Sequence, residues 1–142
     1  MLLWRISDFA SLDGQGGLFA NGRWHEMGQP IVYAADASAL AILESLVRIG
    51  RITLPQPYQL LRIEAPDDIA VAHWRGDVAP ALGESRSWGM NWLSRGQTAL
   101  ASVPSAVAPH GRNLLINPAH PDAARISIIA KSLWPWDKRL FR

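Results

Sequence analysis

At 142 residues and 15.6 kDa, the chain is long enough to close one hydrophobic core and too short for two ordinary domains. Apolar residues make up 49% of it and charged residues 18%, with seven tryptophans, so it carries enough apolar surface to offset ordering entropy, which excludes intrinsic disorder. The formal charge is +2 and cysteine is absent, which excludes a disulfide-stapled scaffold, a thiolate metal site and a cysteine nucleophile.

The sequence pI of 9.5 comes from a few unbalanced arginines and is not a nucleic-acid footprint. Twelve of the 14 basic residues are Arg, which reflects either forked recognition of phosphates or the codon usage of a GC-rich genome. No apolar run approaches the roughly 18 residues of a membrane span, and the opening MLLWRISDF lacks the pattern of an export signal. The expectation is a soluble, cytoplasmic protein of one domain spanning 1–142.

In chain order, Leu2 to Ile6 suits a buried strand. Residues 13–30 follow as a long irregular stretch with five glycines, a proline and an Asn-Gly pair, specifying tight turns. Loops of that length are usually functional or disordered, and the apolar residues Leu18, Phe19 and Trp24 argue for one that packs down. Ile31 to Ala35 reads as a strand. Asp36 is placed to cap a helix from Ala37 to Ile49 that Gly50 terminates. Tyr58 to Ala65 and Ile69 to His73 read as strands, and Ser87 as the cap of a short helix from Trp88 to Arg95. Ala101 to Ala108 and Asn113 to Asn117 are further strands split by a His-Gly turn. The run RISIIA, ending at Ala130, is a last strand before a tail with Trp134, Pro135 and Trp136 tucked against the body. The sum is an α+β domain dominated by strands.

On a helical wheel Ala37, Leu40, Ala41, Glu44 and Arg48 share one arc. A carboxylate amid such an arc is either met by a cation or hydroxyl donor, or paired with Arg48 one turn on. Arg23 lies in the glycine-rich loop beside Trp24, either to fork onto phosphate oxygens or to lie over the indole. Tyr33 in its strand reads as a core phenol with its hydroxyl at the edge, and Ser105 after Pro104 as a turn-ending serine. The histidines at 25, 73, 110 and 120 show no metal-binding spacing, so no metal is expected. Gly14 to Gly17 does not complete a dinucleotide fingerprint, because no strand leads into it and no helix pattern leaves it. Arg75-Gly76-Asp77 is a turn.

Together these residues resemble the RES domain family, the toxin half of RES/Xre toxin-antitoxin pairs. The resemblance rests on Gly22-Arg23-Trp24, on Tyr33, on Ala41 and Glu44 in LAILESLV, and on Val103-Pro104-Ser105-Ala106-Val107. It continues through Asn113 and Ile116-Asn117-Pro118, with weaker echoes in Leu3-Trp4-Arg5-Ile6 and in residues 136–140. One departure is Asn21, where the family often has a second glycine; Asn also tolerates positive φ. The resemblance implies a mixed β-sheet core like that of ADP-ribosyltransferases and NAD as substrate in a cleft. By similarity Arg23 and Tyr33 hold the pyrophosphate and nicotinamide end, Glu44 is the catalytic carboxylate, Ser105 completes the pocket and Asn117 supports it. It further implies an Xre-like helix-turn-helix antitoxin over the cleft and oligomeric assembly, with the ADP-ribose acceptor open between water, phosphate and protein. A catalytically idle binding module using the tryptophans is the reading from a different class; nucleic-acid cleavage lacks both a metal cluster and a basic stripe.

Overall fold

In the computed structural model, which describes residues 1–50 and 57–141, the chain runs β1 (Leu2–Ser7), α1 (Gly16–Phe19), β2 (Val32–Ala35), α2 (Ser38–Ile49), β3 (Tyr58–Glu64), β4 (Val71–His73), α3 (Leu82–Arg95), β5 (Leu100–Pro104), β6 (Arg112–Ile116) and β7 (Ser127–Trp134). Short 3-10 turns cover Pro121–Arg125 and Lys138–Phe141. The strands form one mixed sheet in the order β4-β5-β6-β2-β1-β3-β7. Only β4 and β5 run parallel; the other neighbours are antiparallel. No helix among the described residues is long and apolar enough to cross a membrane.

Strand alternation divides the apolar residues between two faces. Leu3, Val32, Leu61, Ile63, Leu100, Leu114 and Ile116 meet in one cluster, so residues of five strands converge and the sheet curls around them. The opposite face carries α2 over Ile6 and Ala35, and a tryptophan cluster of Trp24, Trp88 and Trp92 over Ala101, Val103 and Leu115. Between these two packings the pairing of β1 with β2 is reduced to a single register pair, Trp4 with Ala35. The sheet is therefore open at the β1–β2 seam, on the face where α2 lies.

Several boundaries differ from the sequence expectation, each for a local reason. Asp36 does not cap α2: its backbone N–H bonds to the Arg112 carbonyl and prolongs the β2–β6 ladder, leaving Ala37 as the extended N-cap residue. Helix α3 starts at Leu82, so Ser87 lies in its interior. Strand β5 stops at Pro104, because Ser105 Oγ accepts the N–H groups of Val107 and Ala108 and folds the chain into a turn. In the glycine-rich loop Trp24 is 1% exposed but Phe19 is 76% exposed, so the tryptophan helps to anchor it and the phenylalanine does not. The expected close of α2 is present: Gly50 is left-handed with φ of 57° and returns its N–H to the Leu46 carbonyl. The turn at 110–111 is also present, with His110 at φ 64°, and Trp136 is buried in the tail against Tyr58 and Phe141.

Candidate active site

A cavity of about 480 Å³ opens at the β1–β2 seam, and Arg23, Tyr33 and Glu44 all line it. They come from the glycine-rich loop, from β2 and from α2. Its other polar walls include Arg5, Arg48, Arg86, His25 and Asn113. Among the described residues four guanidinium groups thus surround a single carboxylate, and the field in the cavity favours an anionic ligand. The volume is that of a small-molecule pocket. Among the described residues no cluster of three or more His, Asp or Glu is placed to hold a metal.

Glu44 projects from the sheet-facing arc of α2, as the helical wheel requires, and the neighbouring buried positions are Leu40, Ala41 and Ser45. Its Oε1 accepts from Ser105 Oγ at 2.7 Å and from Asn113 Nδ2 at 2.9 Å. Arg48 is not its ion-pair partner among the described residues. Both hydrogen bonds fall on one oxygen, so Oε2 is left to meet whatever enters the cavity. Ser105 Oγ is in turn held by two backbone N–H groups, so its only proton goes to Glu44. Ser105 is therefore placed behind the carboxylate and not in the cavity wall, where the family resemblance had set it.

Arg23 is fixed by α3 and the segment just before it. Its Nη2 donates to the Pro80 carbonyl at 3.1 Å, its backbone carbonyl accepts from Ser85 Oγ at 2.6 Å, and Arg86 Nε donates to the Gly22 carbonyl at 2.9 Å. Its Nε is buried with no hydrogen-bond partner. Arg5 shares that property: Nη1 bonds the Tyr33 carbonyl at 2.6 Å across the seam while Nε is buried and unpartnered. Burial, and next the nearby Arg48 charge, bring the Arg5 pKa down to about 10, so it stays a cation at neutral pH.

The Tyr33 hydroxyl accepts from the Trp24 backbone N–H at 3.1 Å and lies 2.7 Å from His25 Nδ1. Burial pushes its pKa further up, so it is a neutral phenol throughout the physiological range. His25 is 3% exposed, and burial holds its pKa below the ordinary value of 6.5. A Cβ added to Gly22 would overlap the Tyr33 hydroxyl and come within 2.6 Å of His25 Nδ1. Gly22→Ala is therefore expected to displace this phenol and to cost about 1–3 kcal/mol of stability as an overpacked site, measured by urea unfolding; an unchanged midpoint would contradict the close approach.

Asn117 is not part of this assembly. It is buried beyond β6, where its backbone N–H bonds the Ala99 carbonyl and its Oδ1 accepts from Ala119 N–H. It fastens a loop. Asn21, at the departure from the family pattern, does not take positive φ; its side chain accepts from Met27 N–H at 2.7 Å. Sequence reasoning had given no role to Asn113, Arg5 or Arg86, and had considered Arg48 only as a partner of Glu44 and His25 only as a metal ligand, although Asn113 and Arg5 stand within the motifs that carry the resemblance.

The profile of the RES domain matches residues 2–137. The chain is 41% identical to Toxin Res of Pseudomonas putida, over 99% of this chain and 100% of the relative. It is 39% identical to the Prs ADP-ribosylating toxin of a Sphingobium species, over 98% of this chain and 96% of that one. In three dimensions it is similar to a chain of the M. tuberculosis MbcT-MbcA toxin-antitoxin complex, with a TM-score of 0.72 and 17% identity over 99% of this chain and 86% of that chain. That likeness establishes the shared fold, a seven-stranded mixed sheet carrying three helices. With a profile match over nearly its whole length and relatives of about its own size, the chain belongs to the RES domain family.

Proposed function

We propose that the protein is the toxin of a toxin-antitoxin pair, acting as one domain over residues 1–142, and that it breaks the bond between nicotinamide and ribose in NAD. The observation that carries this reading is the arrangement of one oriented carboxylate, Glu44, among four arginines at one cavity. The arginines suit a pyrophosphate, whose oxygens their forked guanidinium groups can meet. The carboxylate suits the positive charge that develops on the sugar.

The chemistry needs little more. When the carbon–nitrogen bond breaks, its electron pair stays with the pyridinium nitrogen, and nicotinamide leaves neutral. No general acid is required, unlike ordinary glycoside hydrolysis with its two carboxylates. Glu44 Oε2 at about 4 Å from the oxocarbenium charge, at an effective dielectric near 20, stabilises it by about 4 kcal/mol, or roughly a thousandfold in rate. Ser105 and Asn113 hold Oε1 beforehand, so the carboxylate does not reorganise during the step. An oxygen of water or phosphate then bonds to the sugar carbon and loses its proton to solvent.

Incubating pure protein with NAD, with and without phosphate, and separating the products tests this. Nicotinamide is expected in excess over a Glu44→Gln control, together with ADP-ribose if water is the acceptor and its phosphorylated form if phosphate is; no release in either buffer would contradict the proposal. Arg23→Lys keeps the charge but loses the fork. Loss of one charge-assisted hydrogen bond, about 1.5 kcal/mol, is expected to raise KM for NAD roughly tenfold with a smaller change in kcat.

A second reading is favoured by the name of the Sphingobium relative: the ADP-ribose passes to a protein side chain. Label from NAD moving onto a discrete protein in a lysate would assign it. The structural neighbour comes from a toxin-antitoxin complex, which supports an antitoxin partner; its place over the cavity, its Xre-like helix-turn-helix identity and a homo-oligomeric state rest on the family resemblance. Growth arrest that persists in folded Glu44→Gln and Arg23→Ala proteins would instead make the domain a binding module.

A further inference from the structure

Within the cavity, one buried group takes no part in the reaction just described: His25. Its ring is 3% exposed and packs at 5.5 Å from that of Tyr33. Its contacts with Gly17 and Tyr33 assign its protonation pattern, with the Ala20 carbonyl also close to the imidazole. Nε2 lies 3.3 Å from the Gly17 carbonyl oxygen, which accepts only, so the ring proton belongs on Nε2. Nδ1 is then an acceptor, 2.7 Å from the Tyr33 oxygen, and takes the phenolic proton. The Trp24 N–H already occupies one lone pair of that oxygen. What the Tyr33 hydroxyl retains for a ligand is its second lone pair.

We propose that His25 is a positioning residue that commits the Tyr33 proton inward, so that the phenol presents itself to the bound substrate solely as a hydrogen-bond acceptor. The group it selects is a donor, such as a carboxamide N–H or a sugar hydroxyl, and this identification rests on the reading of NAD as substrate. Protonating His25 reverses the arrangement. With Nδ1–H also a donor, the Tyr33 oxygen receives two hydrogen bonds and its own proton must turn away from the histidine, so the phenol becomes a donor and meets the substrate's donor head-on.

The charged and titratable groups around this pair are Arg86 of α3, which acts on both rings, Arg48 of α2, which acts on Tyr33, and Glu44 of α2 on the same cavity. Burial disfavours a positive charge on His25 most strongly and Arg86 adds to it, while the Gly17 and Ala20 carbonyls offset them in part. Substrate affinity should therefore be full at neutral pH and fall with a midpoint below 6.5, as the histidine gains its proton.

The test compares wild type, His25→Phe and His25→Asn, each verified as folded by circular dichroism at every pH used. Phe keeps an aromatic ring and removes the acceptor; the Asn side-chain oxygen can stand where Nδ1 stood and does not titrate. His25→Phe is expected to raise KM for NAD roughly tenfold with kcat changed less than threefold. His25→Asn should restore KM to within about threefold of wild type and abolish the acidic limb of the KM profile. Nitrogen NMR of the labelled wild-type histidine should show the Nε2–H tautomer at neutral pH. An Nδ1–H tautomer, a KM for His25→Phe within twofold of wild type, or an acidic limb unchanged in His25→Asn would each overturn the proposal while leaving NAD cleavage intact. Folded wild-type protein that neither binds nor cleaves NAD would remove the functional reading and this proposal with it.

Discussion

Replacing Glu44 by Gln is expected to lower kcat for nicotinamide release about a thousandfold while leaving the thermal midpoint nearly unchanged. The size follows from removing a full negative charge about 4 Å from a developing positive one, worth about 4 kcal/mol at an effective dielectric near 20. The side chain keeps its length, and the amide oxygen can still accept from Ser105 and Asn113, which hold Oε1 in the native protein at 2.7 and 2.9 Å. Chemistry and folding are thus separated by one substitution. A fall of less than tenfold in kcat, with product analysis confirming NAD cleavage, would mean that the carboxylate is not what meets the sugar charge.

The largest effect on stability is expected at Gly89→Ala. A Cβ there would overlap the Trp24 carbonyl oxygen and lie 2.7 Å from its carbonyl carbon. Both are backbone, so no side chain can rotate aside, and α3 must move off the glycine-rich loop. Overpacking of this kind costs about 3 kcal/mol or more, and for a domain of this size lowers Tm by about 10 °C. The same movement would break the Ser85 and Arg86 bonds to the carbonyls of Arg23 and Gly22, so KM for NAD should rise as well. Gly83, one and a half turns earlier, has open space where its Cβ would stand. Gly83→Ala is the control, expected to leave Tm unchanged or slightly raised; equal effects at both positions would refute the docking argument.

The pair of glycines also explains what the sequence conceals. Helix α2 was legible along its length, its capping residue apart, because its periodicity, its apolar arc and Gly50 agree with one another. The first half of α3 was not, because Gly83, Ser85, Ser87 and, just beyond them, Gly89 are weak helix formers. Two of these residues are small because they touch the loop: Ser85 reaches the Arg23 carbonyl, and Gly89 lets the Trp24 backbone approach. Tertiary packing thus overrides local propensity where the helix braces the site. Strand β5 was read too long for a similar reason, since Ser105 turns the chain with its own hydroxyl.

At the site, the wheel put Glu44 on the right face but left Arg48 open as its partner. The partners that settle its environment come 61 and 69 residues later in the chain, beyond the reach of any local pattern. His25 was weighed for metal-ligand spacing only; its actual neighbours, a phenol eight residues on and a carbonyl eight residues back, carry no sequence signature. Asn117 lies within a recognisable motif, and the contacts the structure gives it close a loop.

A crystal structure of the Glu44→Gln protein soaked with NAD would test the central claim most directly. The expected result is the dinucleotide in the seam cavity with its pyrophosphate on Arg23 and the side chain of residue 44 within about 4 Å of the ribose carbon that bears nicotinamide. NAD bound elsewhere on the molecule, or residue 44 turned from the sugar toward Arg48, would contradict it.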